Sequence, residues 1–228
     1  MKWLLLLLFA ASGCGGAPTD TADIATDEIE LQMLVETGEE TARVQVALYY
    51  HEDHSVFTLG LAAGDRLVAR VGDRSFEPRA DSFRYVFDLP KDTTAFELDF
   101  LRDSHASAKG THVELPAPFR ITPPGGDGLV HLQKPFTLSW SPASAESSMK
   151  LALDGACLGT AQRTLATDTG TFTWSVADYL TRTTPSPCTV TAHVTRQGGS
   201  LTLAPGWGGL TSFRASQSRG LGLWAIDP

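Results

Sequence analysis

The feature of the sequence that most constrains the fold is a two-residue alternation of apolar and polar side chains, which recurs from residue 29 onward. Successive side chains of an extended strand point to opposite faces, so each alternating stretch predicts a strand with one buried face. Beyond residue 28, no stretch of about twelve residues keeps the helical period of about 3.6. The sequence therefore predicts an all-β fold. The clearest apolar positions are Ile29, Leu31, Met33 and Val35, then Val44, Val46, Leu48 and Tyr50, then Leu67, Ala69 and Val71, then Phe83, Tyr85 and Phe87, and then Phe96, Leu98 and Phe100.

Residues 1–13 have the order of a bacterial export signal: Lys2, then an apolar run, then small residues. The apolar run is too short to cross a bilayer, which takes about 20 apolar residues. Ala11-Ser12-Gly13-Cys14 resembles the lipobox of bacterial lipoproteins, which implies cleavage before Cys14 and a diacylglycerol on its thiol. Gly15 after that cysteine implies the outer membrane of a two-membrane cell, facing either the periplasm or the cell surface. The alternative is an ordinary cleaved signal with an incidental cysteine.

Residues 14–28 are predicted to form a flexible tether that follows the lipidated Cys14. The segment GGAPTDTADIATDE offers one large apolar side chain, Ile24, which buries too little surface to offset the entropy of ordering. The whole chain has 18 basic and 26 acidic residues, and loss of Lys2 with the signal leaves 17 basic residues. A negative net charge without a basic patch favours neither nucleic acid nor anionic lipid headgroups as partners.

A stretch rich in proline and glycine, LPAPFRITPPGGDG at residues 115–128, interrupts the alternation. Proline lacks the backbone donor that a strand ladder needs, and glycine is costly to order, so this stretch predicts a joint. It divides the chain into units at 29–118 and 119–228, each about the size of one β-sandwich.

The second unit opens with PFTLSWSPASAESSMKLALDG, residues 135–155, in which Phe136, Leu138 and Trp140 share one strand face. Met149, Leu151 and Leu153 share the face of the next strand. This pair resembles the second and third strands of a fibronectin type III or related immunoglobulin-like sandwich, which implies that Trp140 fills the core between the sheets. The expected architecture is two tandem immunoglobulin-like β-sandwiches after a cleaved signal peptide and a flexible tether.

Cys157 and Cys188 are the cysteines that remain after Cys14. In an exported protein an even pair predicts a disulfide in preference to two free thiols. A loop of about 30 residues makes such a bridge worth roughly 3–4 kcal/mol in the chain-entropy model.

The densest polar cluster is His51-Glu52-Asp53-His54, directly after a predicted strand. Imidazole and carboxylate groups are ligands for zinc and other divalent cations, so His51 and His54 are candidate metal ligands. The cluster lacks the spacing of the helical HExxH motif. The interpretation we favour is a solvated hairpin with a charged tip.

Two tryptophans need separate interpretation. Trp207, in APGWGGL, lies among loop-forming residues, where an exposed indole would be a binding residue for protein or carbohydrate. We favour the alternative that Trp207 folds back over the end of the sandwich. Trp224, in GLWAID, is predicted to pack in a final strand.

The sequence contains no GxSxG elbow, P-loop or GxGxxG motif, so it predicts no cofactor. Two functions remain open. The favoured one is a lipid-anchored, non-enzymatic binding or scaffolding module of the cell envelope, whose partner is an envelope protein or a glycan. The alternative is a small envelope hydrolase or metal-binding enzyme that uses the loop from His51 to His54.

Overall fold

The structure, a computed structural model, describes residues 20–179 and 187–226. The predicted signal peptide and Cys14 lie outside these residues. Across the described ranges the chain forms eighteen β-strands, two 3-10 helices and no α-helix, which confirms the predicted all-β fold. The same ranges contain no helix that is both long and apolar enough to span a bilayer.

The strands of the first half of the chain are β1 (Ile29–Thr37), β2 (Thr41–Glu52), β3 (Ser55–Leu59), β4 (Arg66–Val71), β5 (Arg74–Phe76), β6 (Arg79–Asp81), β7 (Arg84–Pro90), β8 (Ala95–Leu101) and β9 (Ala108–Glu114). Those of the second half are β10 (Arg120–Thr122), β11 (Leu129–His131), β12 (Phe136–Ser141), β13 (Ser148–Gly155), β14 (Leu158–Leu165), β15 (Thr171–Trp174), β16 (Cys188–Gly198), β17 (Ser200–Thr202) and β18 (Gly209–Ile226). The 3-10 helices are Thr26–Glu28 and Val176–Asp178.

One ten-stranded sheet runs through the whole molecule in the order β14-β13-β16-β18-β1-β2-β7-β6, with β3 beside β2 and β11 beside β18. Its centre is β18, which is 18 residues long. The first part of β18 pairs in parallel with β1, and its later part pairs antiparallel with β16. A single strand therefore belongs to both halves of the protein.

Two smaller sheets lie against the ten-stranded sheet and enclose separate cores. A five-stranded sheet, β17-β9-β8-β4-β5, closes the first core, and a three-stranded sheet, β10-β12-β15, closes the second. Along β18 the odd-numbered residues point inward: Phe213 and Ala215 contact the first core, and Leu223 contacts the second. Because these residues share one face of the strand, both small sheets cover the same face of the long sheet.

Residues 200–215 pack in the first core, although most residues of the second core precede them in the sequence. Strand β17 pairs with β9, and Ala204, Trp207 and Ala215 are buried among the first-core residues. At the proline-rich joint, Leu115 is buried in the first core and Phe119 in the second. The range 119–228 therefore includes a segment that packs with the first unit.

Part of the predicted tether is folded onto the first core. Thr21 is fully buried and Ile24 is 4% exposed. The guanidinium of Arg102, itself paired with Asp65, donates hydrogen bonds to the backbone oxygens of Thr21 and Ile24. The prediction of a flexible segment is thus wrong for residues 20–28, because a buried guanidinium secures them where apolar burial is scarce.

Candidate functional site

His51 and His54 lie at the hairpin between β2 and β3, whose turn consists of Asp53 and His54. The Nε2 atom of His51 lies 3.3 Å from Oε2 of Glu30, and His54 is exposed. Among the described residues, no group of three or more His, Cys, Asp or Glu side chains is placed to hold a metal ion. The structure has the charged hairpin that the sequence favoured, and it places the Glu30 carboxylate beside His51 but not beside His54.

Trp207 is a core residue in the structure rather than an exposed binding residue. Its side chain is 8% exposed, its ring stacks on Phe100 with centroids 5.2 Å apart, and its Nε1 donates to Oγ1 of Thr111 at 2.9 Å. Trp140 is also buried, as the resemblance drawn from residues 135–155 implied. Trp224 lies in β18 as predicted, but alternation turns Leu223 inward and leaves Trp224 59% exposed.

Cys157 and Cys188 form the predicted disulfide, which joins the turn between β13 and β14 to the first residue of β16. Both sulfurs lie in the second core. The bridge therefore stabilises the second sandwich and does not take part in any exposed site.

A broad candidate surface is the outer face of the ten-stranded sheet, opposite the two small sheets. On β18 this face consists of the even-numbered residues Ser212, Arg214, Ser216, Ser218, Gly220, Gly222 and Trp224, all exposed or half-buried. Across the described strands β1, β16 and β13 the outward side chains are likewise exposed or half-buried. The long sheet is therefore open to solvent on one side along both sandwiches.

A groove of about 320 Å³ lies on this face over β18, β1, β2 and β7. Its floor is Ala47, which is buried although it points away from the core. On β2 the residues two positions away on the same face are Gln45 and Tyr49, and across the pair with β1 lies Gln32. A methyl side chain surrounded by long ones leaves a depression, which is the physical origin of the groove.

The groove wall is ordered by side-chain hydrogen bonds. Tyr49 Oη donates to Oε1 of Gln32 at 3.1 Å, and Nε2 of Gln32 donates to Oγ of Ser212 at 3.1 Å. On the opposite side Arg84 donates to Oε1 of Gln45 at 3.4 Å. Both amides are thus oriented by neighbours before any ligand arrives.

The hydrogen-bonding groups left over in the groove are mostly donors. The exposed side chain of Arg214 makes no hydrogen bond or ion pair with any described residue, and the side chain of Arg84 makes the single long bond to Gln45. The Nε2 atom of Gln45 and the hydroxyl proton of Ser212 are also free for a ligand, because their oxygens already accept.

Two further depressions continue the groove along the sheet. One of about 330 Å³ shares Ala47 and Arg84 with it and is bordered by Tyr49 and Phe83. The other, of about 900 Å³, shares Arg214 and reaches Lys150 on β13 in the second sandwich. Phe83, which the alternation assigned to the inner face of a strand, lies before β7 and is 54% exposed.

The described groups whose pKa values depart from their usual range are Tyr50, Tyr85, Asp178 and Tyr179, and none of them lines the groove. Burial raises the pKa of Tyr85, although the Leu61 backbone N–H that donates to its oxygen opposes the shift. Burial likewise raises the pKa of Tyr179, whose hydroxyl donates to the backbone oxygen of Leu132. These two phenols are structural groups.

No family model matches the sequence, and no curated protein matches it.

The sequence analysis did not predict the groove because it considered only the apolar, inward-facing positions of each strand. Alternation along β2 also defines one outward face, which consists of Arg43, Gln45, Ala47, Tyr49 and His51. What the sequence does not show is that β1, β7 and β18 lie beside β2 and carry Gln32, Arg84 and Arg214 to the same place.

Proposed function

We propose that this protein is a lipid-anchored, non-enzymatic binding module of the bacterial cell envelope, and that its partner docks on the open face of the ten-stranded sheet. The observation that carries the proposal is the groove over Ala47, where oriented amides and a guanidinium without a partner face solvent. The two amides lose little entropy on binding because neighbouring side chains already hold them in place.

The cell-envelope location is supported by three features of the chain. The leader and the Ala11-Ser12-Gly13-Cys14 segment resemble those of bacterial lipoproteins. The disulfide between Cys157 and Cys188 is typical of an oxidising compartment. The chain's net charge of −8 is consistent with a partner other than nucleic acid.

The fold suggests how such a module stands relative to its anchor. Five residues separate Cys14 from Asp20. Asp20 forms a β-bridge with Gly60, close to the end of the first sandwich at which β1 and β18 begin. Fully extended, this connection spans at most about 20 Å. Strand β18 runs from that end into the second sandwich over a contour of roughly 55 Å. We infer that the first sandwich lies beside the membrane and the second projects away from it.

The immunoglobulin-like character of the second sandwich is also part of the proposal. Three strands, β10, β12 and β15, face four, β14, β13, β16 and β18. Seven strands in two layers are typical of that class, and Trp140 is buried on the middle strand of the three. This division supports the resemblance drawn from residues 135–155.

The test uses the full-length protein in native envelopes, with a photo-reactive amino acid at Gln45 in the groove or at Ser75 on β5. Ser75 is a matched control because it is exposed on the opposite layer of the same sandwich. We expect cross-linked product from position 45 and none from position 75. Equal labelling at both positions, or none at either, contradicts docking on the open face.

The anchor is tested separately with Cys14→Ala. The unchanged protein should incorporate a fatty-acid label and remain in the membrane fraction, whereas Cys14→Ala should do neither. Label on the Cys14→Ala protein would overturn the anchor without affecting the docking surface.

A further inference from the structure

We propose that the groove over Ala47 binds an acidic oligosaccharide, a chain of sugar rings that carries carboxylate groups. The inference rests on the proposed function, because it names the ligand class for that same groove. It follows from three properties of the groove, which are the kind of hydrogen-bonding group it leaves free, its charge relative to the rest of the protein, and its open shape with an aromatic border.

The free groups of the groove call for a ligand that accepts hydrogen bonds. Arg84 and Arg214 are donors only, and the unused atoms of Gln45 and Ser212 are an N–H and an O–H. A carboxylate accepts from a guanidinium through two parallel hydrogen bonds, which are among the strongest available to a side chain. Sugar hydroxyls accept as well as donate, so they also satisfy the amide of Gln45.

The charge of the groove is opposite to that of the protein. The residues that line it include Arg84 and Arg214 and no aspartate or glutamate, although the chain carries 26 acidic residues. Nearby arginines on the same face are neutralised, as Arg43 is by Asp88 at 3.4 Å. The groove lining is therefore a local positive patch on a protein of net negative charge, and Asp81, the strand neighbour of Arg84, lines the adjoining depression instead.

The shape of the groove suits an extended ligand made of rings. The strands that carry Arg214 and Arg84 are three strand-to-strand spacings apart, about 14 Å. The two guanidinium groups can therefore bind different sugar units of one oligosaccharide. Between them the floor is Ala47, which leaves room for a ring. Phe83 and Tyr49 border the adjoining depression and offer aromatic faces to the apolar face of a sugar.

The test is calorimetric titration of the full chain, solubilised in mild detergent, with a hexamer of galacturonic acid and with a neutral glucose hexamer of equal length. We expect the acidic hexamer to bind and the neutral one not to bind. Arg84→Met and Arg214→Met should each weaken binding by about tenfold or more, as expected for the loss of a charge-assisted bidentate contact. Binding should also weaken as salt is raised, because the site is exposed.

Two further variants separate ligand contact from folding. Arg43→Met removes an exposed arginine of the same face outside the groove, and its affinity should stay within about twofold of the unchanged protein. Ala47→Leu fills the floor and should abolish binding, with thermal unfolding recorded to confirm that the variant is folded.

Equal binding of both hexamers, no binding of either, or insensitivity to Arg84→Met and Arg214→Met would overturn the acidic-sugar assignment. The photo-reactive residue at position 45 keeps that failure distinct from failure of the proposed function. If position 45 captures an envelope protein while neither hexamer binds, the docking surface stands and the ligand is a polypeptide. If neither experiment yields a ligand, both proposals fail.

Discussion

The guanidinium of Arg196 donates from Nε to Oδ2 of Asp168 at 2.8 Å, and both side chains are fully buried. The other oxygen of Asp168 accepts from Nε1 of Trp140 at 2.6 Å. Arg196 also donates to the backbone oxygens of Ala117 and Pro142, and its guanidinium lies over the ring of Phe119. This ion pair therefore fastens the joint between the two sandwiches to the core of the second.

Loss of Arg196 should destabilise the protein more than loss of any exposed arginine. Arg196→Met leaves the carboxylate of Asp168 buried without a counter-charge, and breaking a buried pair in this way costs about 3–5 kcal/mol. Urea unfolding measures the change in free energy. Adding Asp168→Asn to Arg196→Met should recover part of the loss, because the amide is neutral and still accepts from Trp140.

Arg163→Met is the matched control for Arg196→Met. Arg163 pairs with Asp178, but 44% of the Arg163 side chain is exposed. An ion pair in that position contributes about 1 kcal/mol or less. Similar losses for the two variants would mean that burial of the Arg196 pair does not determine its importance.

Arg102→Met should release the segment 20–28 from the first sandwich. Arg102 is fully buried and holds the backbone oxygens of Thr21 and Ile24 as well as Asp65. Amide hydrogen exchange should report the release, since the N–H of Thr21 donates to the backbone oxygen of Gly60. We expect exchange at Thr21 to rise by a factor of at least about ten. Arg43→Met, at an exposed pair, should leave that exchange rate unchanged.

Trp224 should dominate the response of tryptophan fluorescence to an aqueous quencher such as acrylamide. It is 59% exposed, whereas Trp140, Trp174 and Trp207 are each 8% exposed or less. The fifth tryptophan, Trp3, lies in the predicted signal peptide, so the measurement uses the protein that begins at Cys14. Trp224→Phe should remove most of the quenching by acrylamide, and Trp140→Phe should leave it nearly unchanged. Quenching that persists in Trp224→Phe would show that another tryptophan is accessible to acrylamide, and weak quenching of the unchanged protein would show that this end of β18 is covered in solution.

Stability should fall in alkali because two buried phenols resist ionisation. Burial raises the pKa of Tyr85 and Tyr179 in the folded protein, so the folded state holds these protons more tightly than the unfolded chain. Their stabilising contribution is present below about pH 10 and is lost as the pH rises through the folded values. Linkage limits the slope to about 1.4 kcal/mol per pH unit for each phenol.

The variant Tyr179→Phe keeps the ring in the second core and removes one of the two titrating groups. Between pH 8 and pH 11, its free energy of unfolding should decline less steeply than that of the unchanged protein. Parallel curves would exclude Tyr179 as a source of the alkaline loss.

The open-face groove illustrates where sequence-based prediction stopped. Gln45, Ala47 and Tyr49 share one face of β2 by alternation alone. Ala47 becomes the floor of a groove only because Gln32 of β1 lies beside it and Arg84 of β7 lines the same depression. Neighbour relations between strands distant in sequence depend on the folded topology, which no local pattern specifies.

The sequence by itself determined the all-β class, the inward faces of most strands and the pairing of Cys157 with Cys188, because each depends on alternation or on cysteine count. The burial of Trp140 was expected from the resemblance of residues 135–155 to an immunoglobulin-like sandwich. The tertiary structure alone decided that β18 serves both sandwiches, that Arg102 and Arg196 are buried, and that Arg214 joins Gln32 and Gln45 in one groove. A charged side chain has the same sequence signature whether it is solvated or buried with a partner. Only long-range contacts supply the carboxylates and backbone oxygens that make the burial of Arg102 and Arg196 favourable.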